Sequence, residues 1–184
     1  MKPIRMLKTL AVGVTAVGVL AATPALAQNK DYILNTASTG GTYHPVGTAI
    51  ATLSKVKLLP KQKFSLTAVN SAGSGANVQA LGANTAQFAI VQGLFGSYAA
   101  TGTGPVTAPQ ENMRSVSMLW QNVEQFVIAN KYVKSGTVAD IIPLKGMAMG
   151  LGRQNSGTIG SNRVLLSGLG LDMEKDFKLM YGGY

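Results

Sequence analysis

Residues 32–45, Tyr32-Ile33-Leu34-Asn35-Thr36-Ala37-Ser38-Thr39-Gly40-Gly41-Thr42-Tyr43-His44-Pro45, pass from a short apolar run through a hydroxyl- and glycine-rich loop into a helix pattern. Residues 32–36 read as a strand. Val46, Ile50, Leu53 and Val56 follow at the spacing of one helix face. Pro45 stands where a first helical turn tolerates a missing N–H, and Pro60 marks the expected end. A strand that feeds a helix through a glycine turn is the repeating unit of an α/β fold.

The same unit recurs outward from this stretch. Residues 64–69 form the next strand candidate, and 71–75 are a glycine and hydroxyl turn before a short helix over 76–83. The apolar run 88–91 lacks clean alternation, which suits a parallel strand covered on both faces. Residues 93–100 fit a helical turn or two, and 101–109 form a loop rich in Gly, Thr and Pro. Residues 114–120 and 124–129 read as two further strands, Thr137 as the cap of a short helix over 138–142, and 147–151 as a strand. The polar turn 154–158 leads into a helix pattern through Leu166, and 178–181 reads as a final strand. The expected class is therefore α/β with a mainly parallel sheet.

Composition removes several kinds of chemistry. The chain has 184 residues, 16 Lys+Arg against 7 Asp+Glu, a formal charge of +9, no cysteine and one histidine. Disulfides, zinc ribbons, iron–sulfur clusters and thiol nucleophiles all need cysteine, and His44 alone cannot supply a multi-histidine metal cage. So few acids also argue against a multi-carboxylate calcium or two-metal site. No cofactor is expected.

Lys2, Arg5 and Lys8 precede an uncharged, mostly apolar run over 10–22, and Ala25 and Ala27 place small residues where a signal peptidase reads them. Residues 1–27 are thus expected to be a secretory signal peptide cut after Ala27. The apolar run is shorter than the roughly 20 residues a membrane crossing needs. Removing those 27 residues and their three cations from 184 residues and +9 leaves 157 residues carrying +6. Export argues against nucleic acid as the partner of this charge and favours an anionic solute or surface.

Three strand-to-helix turns, residues 37–44, 71–77 and 154–160, are full of Gly, Ser, Thr and Asn and hold no Asp or Glu. In an open α/β sheet such turns line the crevice at the carboxyl ends of the strands. Helix starts present unpaired N–H groups and the positive end of the helix dipole, and glycine lets a ligand approach the main chain. Three acid-free turns together make an uncharged socket for an anion. Taken singly, each turn also reads as ordinary helix capping.

Enzyme patterns are weak. Gly73-Ser74-Gly75 lacks the full nucleophile-elbow pattern, no Walker lysine is present, and His44 at a helix start reads more simply as a capping or packing residue. A secreted serine hydrolase or transferase using Ser74 or Ser156 remains the alternative, and a sensor domain that docks on a membrane kinase is a third reading. Lys55, Lys57, Lys61 and Lys63 read as a solvated face near a helix end. Trp120 and Phe126 read as strand core that could contact a ligand.

Thr39-Gly40-Gly41-Thr42-Tyr43 with Pro45 and Gly47, then Ser71-Ala72-Gly73-Ser74 to Asn77, residues 86–92, and Asn155-Ser156-Gly157-Thr158 resemble the TAXI family of solute receptors. These serve tripartite ATP-independent periplasmic (TRAP) transporters. The resemblance spans nearly the whole mature chain. It implies a two-lobed fold of the periplasmic binding protein-like type II, which closes on a small carboxylate or amino acid in the periplasm and delivers it to TRAP-type membrane permease subunits, with no nucleic acid involved. Carried over by position, Gly41, Thr42, Tyr43, Ser71, Ser74, Asn77 and Gln92 would line the first lobe's ligand wall. Asn155, Ser156, Gly157 and Thr158 would form the opposing wall. Residues 28–122 would be lobe 1 and 123–184 part of lobe 2, with a crossing near 121–124. Family members are longer, so the second lobe is expected to be incomplete through truncation at the C-terminus.

Overall fold

The computed structural model describes residues 28–182. The segment read as a signal peptide lies outside them. Strands β1 (Lys30–Asn35), β2 (Phe64–Val69) and β3 (Phe88–Ala89) form a parallel sheet in the order β2-β1-β3. Lys30 stands opposite Phe64 and Asn35 opposite Val69, while Leu34 pairs with Phe88 on the other side. Tyr32, Phe64 and Phe88 pack edge-on or tilted, with neighbouring ring centroids 5.4–6.0 Å apart. Leu34, Ala51, Leu66 and Ile90 form the buried centre beside them. Parallel strands need long crossovers, and helices supply both of these.

The first crossover is α1 (Tyr43–Leu53), continued by a π-helical turn (Ser54–Leu58) into α2 (Leu59–Gln62). Buried Ser54 explains why the π turn is held. Its Oγ donates to the Ala51 carbonyl at 2.7 Å and accepts from the Leu66 amide at 2.8 Å, tying the helix to β2. Two expectations change here. Pro60 does not end the helix, because the π turn shifts the register and places it in the first turn of α2, where no N–H is needed. The helix ends instead at Lys63, which is left-handed at φ 55°. Leu53 and Val56 are exposed, so the packed stripe is carried by Val46 and Ile50.

The second crossover is α3 (Ser74–Gly82), and α4 (Gly93–Thr101) follows β3. Val78, Phe95 and Ala99 join these two helices in a small core of their own. Further along, β4 (Ala148–Gly150) and β5 (Lys178–Met180) form a second parallel sheet, bridged by α5 (Gly157–Gly168) and α6 (Met173–Asp176). Ile141, Leu144, Leu151, Ile159, Leu166, Leu171, Met173 and Phe177 form its core. Alternating helices and parallel strands make this an α/β fold, with two small sheets in place of a single larger one.

Residues 114–120 and 124–129 are not strands. They run extended but pair with no strand among the described residues, and Val116, Met118 and Val127 are 83%, 87% and 93% exposed. Alternation and β-branching mark an extended backbone, but a strand also requires a neighbour to complete the ladder. Phe126 and Ile128 still turn inward, against the second core. No helix among the described residues is long and apolar enough to cross a membrane.

Thr137 caps a 3-10 helix over Val138–Leu144, as its position suggests. Inside that turn, the Asp140 carboxylate accepts from the amides of Lys134, Ser135 and Gly136 at 2.9–3.0 Å and from Ser135 Oγ at 2.7 Å. The Ser135 side chain and these amides hold its pKa far below the usual carboxylate range. A depressed pKa stabilises the fold fully above the unfolded value of about 4, and that contribution is lost as pH falls through the folded value. Asp140→Asn should therefore lower Tm by several degrees at pH 7, with the gap to wild type closing as pH drops below about 4. Thermal melts between pH 2 and 8 check this.

Candidate functional site

With the order β2-β1-β3, the chain leaves β1 to one side and returns across it to the other, so the carboxyl ends of β1 and β3 form a topological switch point. Thr36 and Ile90 stand just beyond these ends. Asn77 in α3 bridges them, its Nδ2 donating to the Thr36 carbonyl at 2.7 Å and the Ile90 carbonyl at 2.8 Å. Ser71 Oγ donates to the same Thr36 carbonyl at 3.0 Å and accepts from the Gly73 amide at 3.0 Å. The Thr36 hydroxyl donates to the Val69 carbonyl at 2.8 Å. With that proton committed, His44 Nδ1 is the donor across the 3.2 Å to Thr36 Oγ1.

Three helix starts meet around this bridge, joined by one side chain from a fourth helix. Ser74 opens α3, and its Oγ accepts from the amide of Gln92 at 2.9 Å, where Gln92 precedes α4. Tyr43 opens α1, with its hydroxyl beside Ser74. Burial pushes that hydroxyl's pKa up, aided by the Glu124 charge and opposed by Ser74. Gly157 opens α5 so close by that a Cβ there would lie 2.7 Å from Gln92 Oε1 and 2.8 Å from Ser74 Oγ. A Cβ on Gly75 would meet the Asn155 carbonyl oxygen at 2.7 Å, and one on Gly73 would meet Ser156 Cα at 3.3 Å. Glycine is what permits main chain to approach main chain here.

The structure thus brings together Tyr43, Ser71, Ser74, Asn77, Gln92, Asn155, Ser156 and Gly157. Gly41 and Thr42 do not join the bridged cluster. The Gly41 amide is used inside its own loop on the Ser38 carbonyl at 3.0 Å, and Thr42 is exposed with no capping bond from its hydroxyl. Thr158 turns away, its side chain facing Gly152.

Two electrostatic expectations also need correction. The donor set is partly spent: the Ala76 amide donates to the Asn155 carbonyl at 3.1 Å, while the amides of Ser74, Gly75, Gly157 and Thr158 donate to no protein acceptor among the described residues. Nor is the cluster free of acid, since Glu124 from the extended segment accepts from Gln92 Nε2 at 3.0 Å. Trp120 packs edge-to-face on Tyr43 at 5.6 Å and anchors the same segment. Arg153 donates to the Ser71 carbonyl at 3.3 Å. Glu124 and Arg153 reach the cluster through tertiary contacts that no local pattern in the sequence announces. Gly75 and Asn155 also line a cleft of about 240 Å³ with Phe95, Val106, Arg163 and Tyr181.

The hydroxyls already have partners. Ser156 Oγ caps α5 through the Ile159 amide at 3.2 Å, and His44 faces Thr36, so neither serine is paired with the histidine. Among the described residues, no group of three or more His, Cys, Asp and Glu side chains could hold a metal ion.

Parallel strands with helix starts gathered at their carboxyl ends define an α/β binding architecture. The model of the NMT1-like family matches residues 34–184, and the protein belongs to that family, a periplasmic-binding-protein-like one. Membership points to an extracytoplasmic solute-binding function and to a small-molecule ligand.

Gly157→Ala should force Gln92 and Ser74 away from α5 and cost about 1–3 kcal/mol, the usual range for overpacking. Urea unfolding would measure it. Gly168→Ala, at a position with nothing within 4 Å of a new Cβ, should change stability far less.

Proposed function

We propose that the protein is a receptor that captures a small anionic solute, an acidic amino acid or a dicarboxylate, for a TRAP-type secondary transporter in the manner of the TAXI family. The observation that carries this reading is the meeting of the starts of α3, α4 and α5 around Ser74 and Gln92, with the Tyr43 hydroxyl of α1 beside Ser74. Each helix start contributes roughly half a positive charge, so several together disfavour one another unless an anion lies among them. Arg153 adds a full positive charge at the rim. The NMT1-like membership supports the solute-binding part, and the Thr39–Tyr43 motif supports the TAXI assignment.

In this reading the ligand sits between the two sheets. Ser74 and Gln92, with the open amides of Ser74 and Gly75, serve it from one wall and the open Gly157 amide from the other, while Ser71, Asn77, Asn155 and Ser156 hold the walls in place through bonds within the protein. Closure is favourable because only the shut form completes the ligand's hydrogen bonds. Gly41, Thr42 and Thr158 complete the proposed walls only if the loops carrying them turn inward on binding. The basic N-terminus and small-residue cut site support a periplasmic location, where permease subunits of the membrane would receive the solute.

Isothermal titration of the purified protein with glutamate, 2-oxoglutarate and C4 dicarboxylates should give saturable heat for at least one; silence from every carboxylate sinks the anion reading. Ser74→Glu, which fills the centre with like charge, should weaken binding by about 100-fold or more, on the order of 3 kcal/mol. Unchanged affinity would remove that turn from the site. Permease genes beside the coding sequence would support transport, whereas a membrane kinase gene would favour a sensor.

A further inference from the structure

The first sheet and its helices, residues 28–110, keep their charged side chains at one end. They carry five lysines, Lys30, Lys55, Lys57, Lys61 and Lys63, against one acid, Asp31, and so hold +4 of the +6 that follows Ala27; no Lys, Arg, Asp or Glu occurs over 64–110. All five lysines gather at the amino ends of β1 and β2. The Lys30 amide donates to the Lys63 carbonyl at 2.6 Å, which sets these two side by side. Lys55 and Lys57 project from the π turn and Lys61 from α2. The Ser65 and Thr67 hydroxyls, and more weakly the Lys55 charge, hold the Asp31 pKa below the usual carboxylate value, which places Lys55 near the start of β1. The three ion pairs among the described residues, Lys145 with Asp176, Arg163 with Glu174 and Lys175 with Asp172, include none of these lysines. Leu53 and Val56, one helical turn apart, are 58% and 60% exposed in their midst. A solvated basic face accounts for the lysines, but not for bare aliphatic side chains among them.

From this arrangement we infer that the face formed by Lys55, Lys57, Lys61 and Lys63 around Leu53 and Val56 docks on a membrane surface that contains anionic phospholipid. The ammonium groups meet the headgroup phosphates, and the two aliphatic side chains enter the boundary between headgroups and acyl chains, which a soluble polyanion does not offer. The patch holds no arginine and no exposed aromatic ring, the groups with which proteins commonly read and stack on nucleic acid bases, so its chemistry fits lipid better. A few lysines and two aliphatic side chains give reversible, salt-sensitive attachment and not a permanent anchor. Docking leaves the polar cluster accessible, because that cluster lies beyond the carboxyl end of β1, roughly 20 Å away along a six-residue strand. The inference stands whether or not the cluster takes an anion.

Vesicle co-sedimentation of the full chain tests this, with phosphatidylcholine alone set against phosphatidylcholine holding about one third phosphatidylglycerol. Wild type should bind the anionic vesicles about tenfold or more tightly than the neutral ones, and should lose most of that binding as NaCl rises from about 0.05 M to about 0.5 M. Each lysine near such a surface is worth roughly fivefold, so Lys55→Gln, Lys57→Gln and Lys61→Gln combined should weaken binding by about 100-fold. Lys131→Gln, Lys134→Gln and Lys178→Gln combined remove the same charge from exposed positions elsewhere and should weaken it by less than about tenfold. Leu53→Ser with Val56→Ser should cost about fivefold or more at unchanged charge. All of these positions are exposed, and every variant shares the same N-terminal segment, so the differences isolate the patch. No binding to anionic vesicles overturns the inference. Equal losses from the two lysine triples do so as well, since attraction would then follow net charge alone. If the Leu53→Ser, Val56→Ser protein binds as wild type does, the face responds to charge without a bilayer and the lipid assignment falls.

Discussion

The close approach of main chain to main chain between the start of α3 and the turn before α5 organises the molecule. Gly73, Gly75 and Gly157 carry no side chain where a Cβ would collide with Ser156, with the Asn155 carbonyl, or with Gln92 and Ser74. Gly160 does the same against Phe95, where a Cβ would sit inside the ring's contact distance. Packing at this density is steep in distance, so one methyl group is felt. Through these contacts the second sheet reaches the switch point of the first, and the Ala76 amide finds its acceptor across the gap.

The bridge at Asn77 has a different role. Fully buried, it joins the carbonyls of Thr36 and Ile90, just past the ends of two neighbouring strands. A side-chain amide with two donors is well matched to two carbonyls whose own strands offer no further ladder partner. Ser71 shares the Thr36 carbonyl, and Thr36 in turn holds Val69 and His44. The hydroxyls and amides of this region are thus first a structural lattice. Those left over, the amides at the starts of α3 and α5, are what remains for a guest.

Local signals are legible in the sequence wherever a residue's partner lies a few positions away. The strand at Phe64–Val69, the helix beginning at Tyr43 and the cap at Thr137 are of this kind. The three polar turns are legible too, and they meet as their place at strand ends suggests, the first through the Ala37 carbonyl and the Tyr43 hydroxyl while its Gly41 and Thr42 take no part. What escapes depends on distance in sequence. Ser54 stabilises a π turn through Leu66, twelve residues on, and so undoes the stop expected at Pro60. Glu124 meets Gln92 across 32 positions, and Arg153 meets Ser71 across 82. Nothing around any of these residues marks its partner. The extended stretch 114–129 departs from strand for the converse reason, since its pattern is present and its neighbour is not.

That unladdered stretch also sets where the polypeptide is vulnerable. Its peptide groups have no cross-strand bonds to break before a protease can bind them in the extended form that most proteases require, and exposed Val116, Met118 and Val127 give such an enzyme side chains to grip. Amide protons there would exchange with solvent first, ahead of those in any of the cores. A cut between Trp120 and Glu124 would sever the link that delivers both residues to the polar cluster while sparing the buried residues of the three hydrophobic centres.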